Sequence, residues 1–314
     1  MVLAGDVGGT KTRLALFKPD CAKPVRLGTY PTAGGCTLLN LVERLLDQVK
    51  IDGACFGVAG TVINGRVMGV NLPWPLDAAQ LGRALDVPIE IVNDVHANAR
   101  GIDALDESDF ALLNPGAEAA CGNRAVLSAG TGLGEAGLFW DGNRHHGIAT
   151  EGGHADFAPR TDLEVRLYYH LAAEFGHVSY ERICSGPGLR NLYRFLSPDQ
   201  APAPAAAAIS AEALEEPSSL SSRALDLFVS IYGARARNVA LGFMANGGVY
   251  LGGGIPPKII GRLKEGGFMD AFLDKGRFAP QLAQIPVRVI LNDRAALLGA
   301  AQIAAELRST ASSN

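Results

Sequence analysis

Asn93 and Asp94 stand side by side at the end of an apolar run, PIEIV (88–92). In open α/β sheets ligands lie beyond the carboxyl ends of strands. A carboxylate placed there can take a proton from a substrate hydroxyl. The same pair also reads as an N-cap for the helical pattern of residues 95–100, and local sequence does not separate the two readings. Further along, EGGHAD (151–156) supplies Glu151, His154 and Asp156 around a glycine turn, and HVSYE (177–181) adds Glu181 ahead of another, SGPG (185–188). Carboxylates, carboxamides and imidazoles on loops suit sugar hydroxyls, because each hydroxyl both donates and accepts. A zinc site at His154 is the rival idea. No cysteine lies near it in sequence, which argues against a structural zinc cluster.

Three glycine-rich stretches follow strand-like segments: GDVGGTKT (5–12), SAGTGLG (128–134) and GGVYLGGG (247–254). Backbone N–H groups in such loops can form a concave nest for phosphate oxygens, and Thr10, Thr12, Ser128 and Thr131 add hydroxyl donors. The first stretch is nearly a Walker loop, with Gly5, Lys11 and Thr12 at the right spacing and Thr10 where the last glycine should be. A Walker loop must feed a helix. Here TRLALF (12–17) has strand-like alternation and Pro19 follows, so the Walker reading fails. A dinucleotide-binding reading of GTGLG fails for the same reason. Asp6, within the first loop, either caps the loop as an Asx-turn or faces polyphosphate across a divalent cation, usually Mg²⁺ with retained waters.

These loops need a scaffold. Residues 38–49, 78–85, 163–175, 224–245 and 295–307 carry apolar positions at helical spacing, while 2–4, 55–60, 88–92, 125–129, 136–140, 249–251 and 287–291 read as strands. Asn64-Gly65 predicts a hairpin over 62–68, and the Pro/Ala-rich stretch 197–209 reads as an exposed loop. Strands alternating with helices indicate an α/β protein, and the strand–glycine loop–strand device occurs twice, which suggests a duplicated architecture.

At 314 residues, with 48% apolar and 19% charged residues, the chain can fill two modest cores. A net charge of −4 without basic runs speaks against a nucleic-acid partner. Five scattered cysteines without a CxxC pattern suggest reduced thiols and a cytoplasmic protein. The first nine residues, MVLAGDVGG, are too short an apolar run for a signal peptide, and no apolar run reaches membrane-spanning length.

The ordered series DVGGTKTRLAL, GVAG, NLPW, VND, SAGTGLG, EGGHADFAP, HVSYERICSGPGL, GGVYLGGGI and FMDAFLDKGRF resembles the bacterial glucokinases over nearly the whole chain. The resemblance implies ATP-dependent phosphorylation of D-glucose at its 6-hydroxyl, with ATP and Mg²⁺ required. It implies two ribonuclease-H-like domains of the actin-like ATPase type with the active site in the interdomain cleft. The expected domains are 1–104 plus 295–314, and 105–294, the C-terminal helix returning to pack on the first. By the same resemblance Asp94 is the catalytic base, and Asn93, Asp94, Glu151, His154 and Glu181 bind glucose. ATP is expected at Asp6, Gly8, Gly9, Thr10 and Thr12 in the first phosphate loop, at Gly130, Thr131 and Gly132 in the second, and at Gly252 and Gly253 on the adenosine side. Asp6 also holds magnesium through water, and homodimerisation is common in the family. Two departures stand out. The first loop reads GGTKT where many members have GGTNA, and the cysteine-rich zinc motif of the repressor-related sugar kinases is absent. Such repressors carry a DNA-binding extension before the first loop, which here begins at residue 5. The rival functions are a kinase for another hexose, such as mannose or N-acetylglucosamine, and a sugar-sensing regulator without turnover.

Overall fold

The computed structural model describes residues 1–21, 23–68, 72–197 and 202–311. Asn71 of the NLPW motif and residues 198–201 of the expected loop lie outside the described residues. The chain forms two compact units, one of Met1–Glu107, His146–Ala149 and Asn292–Asn314, the other of Ser108–His145 and Thr150–Leu291.

The first unit runs β1 (Val2–Val7), β2 (Lys11–Phe17), β3 (Pro24–Pro31), α1 (Leu38–Leu46), β4 (Ala54–Val58), the hairpin β5 (Thr61–Ile63) and β6 (Arg66–Met68), α2 (Ala78–Leu85), β7 (Ile89–Asn93) and α3 (Asp94–Gly101). Its main sheet has the order β3-β2-β1-β4-β7. β2 is antiparallel to β1, while β4 and β7 run parallel to it. Alternation along the strands sorts the side chains onto two faces. Leu3, Val7, Leu14 and Leu16 pack on Leu41, Val42 and Leu45 of α1 and Leu81 of α2, whereas Val2, Ala4, Ala15 and Phe17 join a separate cluster on the other face.

The second unit supplies β8 (Phe110–Asn114), β9 (Arg124–Ala129), β10 (Leu133–Trp140), the end residues of β11 (His145–Thr150), α4 (Asp162–Phe175), α5 (Gly186–Leu196), α6 (Ala206–Glu215), α7 (Leu220–Phe243), β12 (Gly248–Gly252), α8 (Ile260–Lys264), α9 (Gly267–Leu273), α10 (Ala279–Ala283) and β13 (Val287–Ile290). The sheet order is β11-β10-β9-β12-β13-β8. Without the antiparallel edge strand β8, this is the order of the first sheet again: third, second, first, fourth, fifth. β10 is antiparallel to β9, β12 parallel to β9 and β13 parallel to β12. The repeated order and strand directions are those of a duplicated ribonuclease-H-like fold, as the two matching glycine loops suggest. Helix α7 threads the core of this unit, where Tyr232 is fully buried and its hydroxyl donates to the Leu127 carbonyl at 2.9 Å.

The last helix, α11 (Ala295–Ala311), belongs to the first unit. Its Leu297, Ala300, Ala301 and Ala304 cover Val2, Ala4, Ala15 and Phe17 together with Ala97 of α3. Helices α3 and α11 cross with backbone against backbone: a Cβ on Gly299 would lie 1.8 Å from the Ala97 carbonyl oxygen, and one on Gly101 1.9 Å from that of Ala295.

Two expectations change. The stretch read as loop over 197–209 becomes helix from Ala206 onward, because alanine is the strongest helix former and Pro202 and Pro204 precede the helix rather than interrupt it. Strand β3 goes unread in the sequence because it is an edge strand that leaves Val25 and Leu27 exposed, with prolines at its ends where a missing donor is tolerated. Since neither backbone at the α3–α11 crossing can retreat without disturbing the sheet, Gly299→Ala should lower unfolding free energy by about 1–3 kcal/mol. Urea denaturation checks this; an unchanged midpoint and slope would show the crossing to be adaptable.

Candidate active site

The first glycine loop is the β1–β2 hairpin. Its register ends at Val7 opposite Thr12, and the Gly8 N–H donates to the Lys11 carbonyl at 3.0 Å. This leaves Gly9, Thr10 and Lys11 exposed at the tip. Thr12 does not share that position. It is fully buried, its hydroxyl 2.9 Å from that of Thr32, which donates to the Gly8 carbonyl at 2.6 Å. The Thr32 N–H also donates to the Thr10 carbonyl at 3.0 Å. A β-strand turns alternate side chains inward, and the Thr12 hydroxyl helps Thr32 brace the hairpin from within.

Asp6 faces the same side of the sheet as Val2 and Ala4, opposite Arg13 in the register. Burial raises its carboxyl above the ordinary carboxylate range, Arg13 pulls it down and Asp293 pushes it up again. Arg13 is already committed, donating to the Asp293 carboxylate at 2.7 Å and to the Asp293 carbonyl at 2.8 Å. A desolvated carboxylate whose neighbouring cation is shared suits a hard divalent ion. Among the described residues no group of three or more His, Cys, Asp or Glu side chains gathers as a metal cage. One carboxylate and retained waters is the manner in which Mg²⁺ is commonly held beside phosphates.

In the second unit the β9–β10 hairpin repeats the device. Its register ends at Ala129 opposite Leu133, the Gly130 N–H donates to the Gly132 carbonyl at 2.8 Å, and Thr131 is exposed at the tip. The loop after β12 lies alongside, Gly252 pairing with Ser128. Gly253 has φ +85°, and a Cβ there would stand 2.3 Å from the Ala129 carbonyl oxygen, so only glycine fits. The Gly186 N–H at the start of α5 donates to the Gly130 carbonyl at 2.8 Å. Gly130, Thr131, Gly132, Gly252 and Gly253 are thereby brought together.

The same unit assembles Glu151, His154 and Glu181. Glu151 precedes the short 3₁₀ turn Gly152–His154, where the His154 N–H donates to the Glu151 carbonyl at 3.0 Å. Glu181 lies in the 3₁₀ turn Tyr180–Arg182. Its carboxylate accepts from the Leu133 N–H at 3.0 Å and stands 3.9 Å from His154 Nδ1. That carboxylate also packs so closely on Gly132 that a Cβ there would meet it at 2.4 Å. The expected phosphate hairpin and the expected sugar-side carboxylate are thus in contact. Asp156 is exposed and lies 3.4 Å from His177.

Asn93 and Asp94 join β7 to α3. Asn93 is the N-cap, its Oδ1 accepting from the Val95 and His96 N–H groups at 2.9 and 3.4 Å while its Nδ2 donates to the Gly60 carbonyl at 3.1 Å. Asp94 begins the helix, and its Oδ1 accepts from the Val95 N–H at 2.9 Å. The capping role is present, and it holds the carboxylate at the carboxyl end of a parallel strand.

A sequence profile described as glucokinase matches residues 3–307. The chain belongs to the glucokinase family. It is 37% identical to a glucokinase of Nostoc sp. strain PCC 7120, with 98% of this chain and 99% of the relative aligned. The crystal structure of a glucokinase from an Antarctic psychrotroph superposes with a TM-score of 0.86 at 32% identity, covering 97% of this chain and 98% of that one. A ROK family glucokinase from Streptomyces griseus, solved with glucose and AMPPNP, shares the fold at a TM-score of 0.66 and 19% identity, over 97% and 99% of the two chains. Membership in the glucokinase family makes this chain an enzyme and fits the actin-like ATPase fold of its two sheets.

Three residues close to the glucokinase motifs escape sequence reading: Thr32, Glu135 and Arg235. Thr32 lies 20 positions from Thr12 and Glu135 lies 100 from Arg235, so no local spacing signals either pair. Replacing Thr32 by valine strips the half-buried Gly8 carbonyl and the buried Thr12 hydroxyl of their partner, at a cost of about 1–3 kcal/mol. Thermal and urea unfolding of Thr32→Val against Thr32→Ser check this; equal stability of the two would discount the brace.

Proposed function

We propose that this protein transfers the γ-phosphoryl group of ATP to the 6-hydroxyl of D-glucose, giving glucose 6-phosphate and ADP for glycolysis. The observation that carries the reading is the contact between Gly132 of the second hairpin and the Glu181 carboxylate, next to His154. A phosphate nest and a hydroxyl-binding group belong side by side only where phosphate and sugar meet. Family membership supports glucose as the acceptor, and the similarly folded Streptomyces griseus protein was solved with glucose and a nucleotide analogue together.

In this reading the hairpin tips at Gly8, Gly9 and Thr10 and at Gly130, Thr131 and Gly132 hold the phosphates, with the Gly8 and Gly130 N–H groups closing the turns and the remaining N–H groups and the two threonine hydroxyls as donors, and Gly252 and Gly253 lie toward the adenosine. Glucose is held by Asn93, Asp94, Glu151, His154 and Glu181. A magnesium ion held at Asp6 through water would neutralise phosphate charge. The Asp94 carboxylate accepts the 6-hydroxyl proton while that oxygen bonds to the γ-phosphorus and the bond to the β-phosphate oxygen breaks. Such transition states are loose, so positioning and charge stabilisation supply most of the acceleration.

Replacing Asp94 by asparagine should lower kcat by about 10²–10⁴-fold with the protein still folded; near-wild-type turnover would refute the base. A coupled assay over glucose, mannose, N-acetylglucosamine and other hexoses, with ATP, ADP and polyphosphate as donors, tests the substrate pair. Phosphorylation of glucose by ATP is expected to dominate. In the first hairpin Asp6→Asn should raise the Mg²⁺ concentration needed for half-maximal rate, while Lys11→Ala, at an exposed tip, should be mild. The reverse ranking would restore a Walker-type role for Lys11.

A further inference from the structure

One guanidinium in the second unit reaches both turns that carry the proposed sugar contacts. Arg235, on α7, donates from Nε and Nη2 to the two carboxylate oxygens of Glu135, each at 2.7 Å. Nη2 donates again, to the Gly152 carbonyl at 2.8 Å. Its flat face lies over Tyr180, the guanidinium carbon 4.6 Å from the ring centroid. The edge of the group thus grips a strand, one end grips the turn after Glu151, and the face covers the residue before Glu181.

The ion pair by itself could be a device for joining β10 to α7. Only 2% of the Glu135 side chain and 13% of that of Arg235 is exposed, and a buried pair of this kind contributes little that apolar residues of equal volume would not. The contacts to Gly152 and Tyr180 go beyond that role. The Gly152 carbonyl also accepts from the Ala155 N–H at 3.0 Å, and the Gly152 N–H donates to Thr150 Oγ1 at 2.7 Å, so the turn holding His154 is pinned on both sides. Gly153 lies against the Leu133 carbonyl, which a Cβ would approach to 1.8 Å. Tyr180 is buried, and the Asn238 amide, itself accepting from Lys275 Nζ at 3.0 Å, lies 3.5 Å from its hydroxyl.

We propose that Arg235 is a positioning residue for sugar recognition, fixing Glu151 and His154 through the Gly152 carbonyl and Glu181 through the Tyr180 ring, with Glu135 as its anchor. The proposal rests on the glucose-binding reading above. A lysine keeps the charge but cannot make a bidentate pair, a third hydrogen bond and a stacked face at once.

Steady-state kinetics of the wild type, Arg235→Lys and Glu135→Gln over glucose and mannose test it, with circular-dichroism melting to establish folding. Misplacing recognition groups by an ångström is costly; the Lys variant should raise the glucose KM by about tenfold or more. The ATP KM should stay within about twofold, and the glucose-to-mannose ratio of kcat/KM should fall. Glu135→Gln, which loosens the anchor, should move the same quantities by less. A purely structural role lowers the active fraction, cutting kcat equally for both sugars with KM and selectivity unchanged. That pattern, or wild-type kinetics in a folded Arg235→Lys protein, would overturn the proposal. So would failure of both variants to fold, which would make the pair a structural element. A wild-type protein that phosphorylates no hexose would instead refute the parent reading, before any variant is compared.

Discussion

Main chain laid directly on main chain is the constraint on which this structure depends. Where α11 crosses α3, the Gly299 and Gly101 positions leave no space for a Cβ. The same condition recurs beside the candidate site, where Gly253 lies on the Ala129 carbonyl and Gly153 on that of Leu133. Glycine costs conformational entropy on folding, and 38 glycines are a large cost to carry. Part of the return is that loops from distant parts of the chain meet at backbone distance. Backbone N–H groups can then converge on a ligand without side chains in the way.

Electrostatics divides the two units in different ways. In the first, Asp6 is a desolvated carboxylate whose neighbour Arg13 is spent on Asp293. It retains a demand for positive charge that a hydrated cation can meet. In the second, Glu135 is withdrawn further from water but is fully met by Arg235. Burial opposes the charge on that guanidinium, and the bonds and charge of Glu135 outweigh it, so the group is held above its ordinary value. An acid with an unmet demand is a candidate for ligand chemistry, and an acid with a closed pair is a candidate for architecture. Which of the two a buried carboxylate becomes depends on where its nearest cation is already engaged.

Much of the fold was legible in the chain. Alternation along 12–17, helical spacing in 38–49 and the Asn64-Gly65 turn rest on neighbours within a few residues, and they correspond to β2, α1 and the β5–β6 hairpin. Two of the glycine stretches were recognisable as strand-to-strand connections, and the two matching sheets followed. Edge strand β3 and the small helices α8 to α10 were not legible, because their residues are selected by distant contacts and carry little periodicity of their own. Alanine-rich α6 was misread because composition was weighed above propensity.

The types and order of the residues able to do chemistry were determined by sequence alone: Asp6, Asp94, Glu151, His154, Glu181 and the glycine loops. So was the placement of Asp94 at a strand end and of Glu151, His154 and Glu181 at turns, since strand and turn signals are local. Tertiary structure decided which of these groups meet. It turned the Thr12 hydroxyl inward to Thr32, set Glu181 against Gly132, and brought Arg235 to Gly152 across 83 residues of chain. The reason is physical. Hydrogen bonds and ring contacts act over a few ångströms in space, and folding, not spacing along the chain, sets those distances.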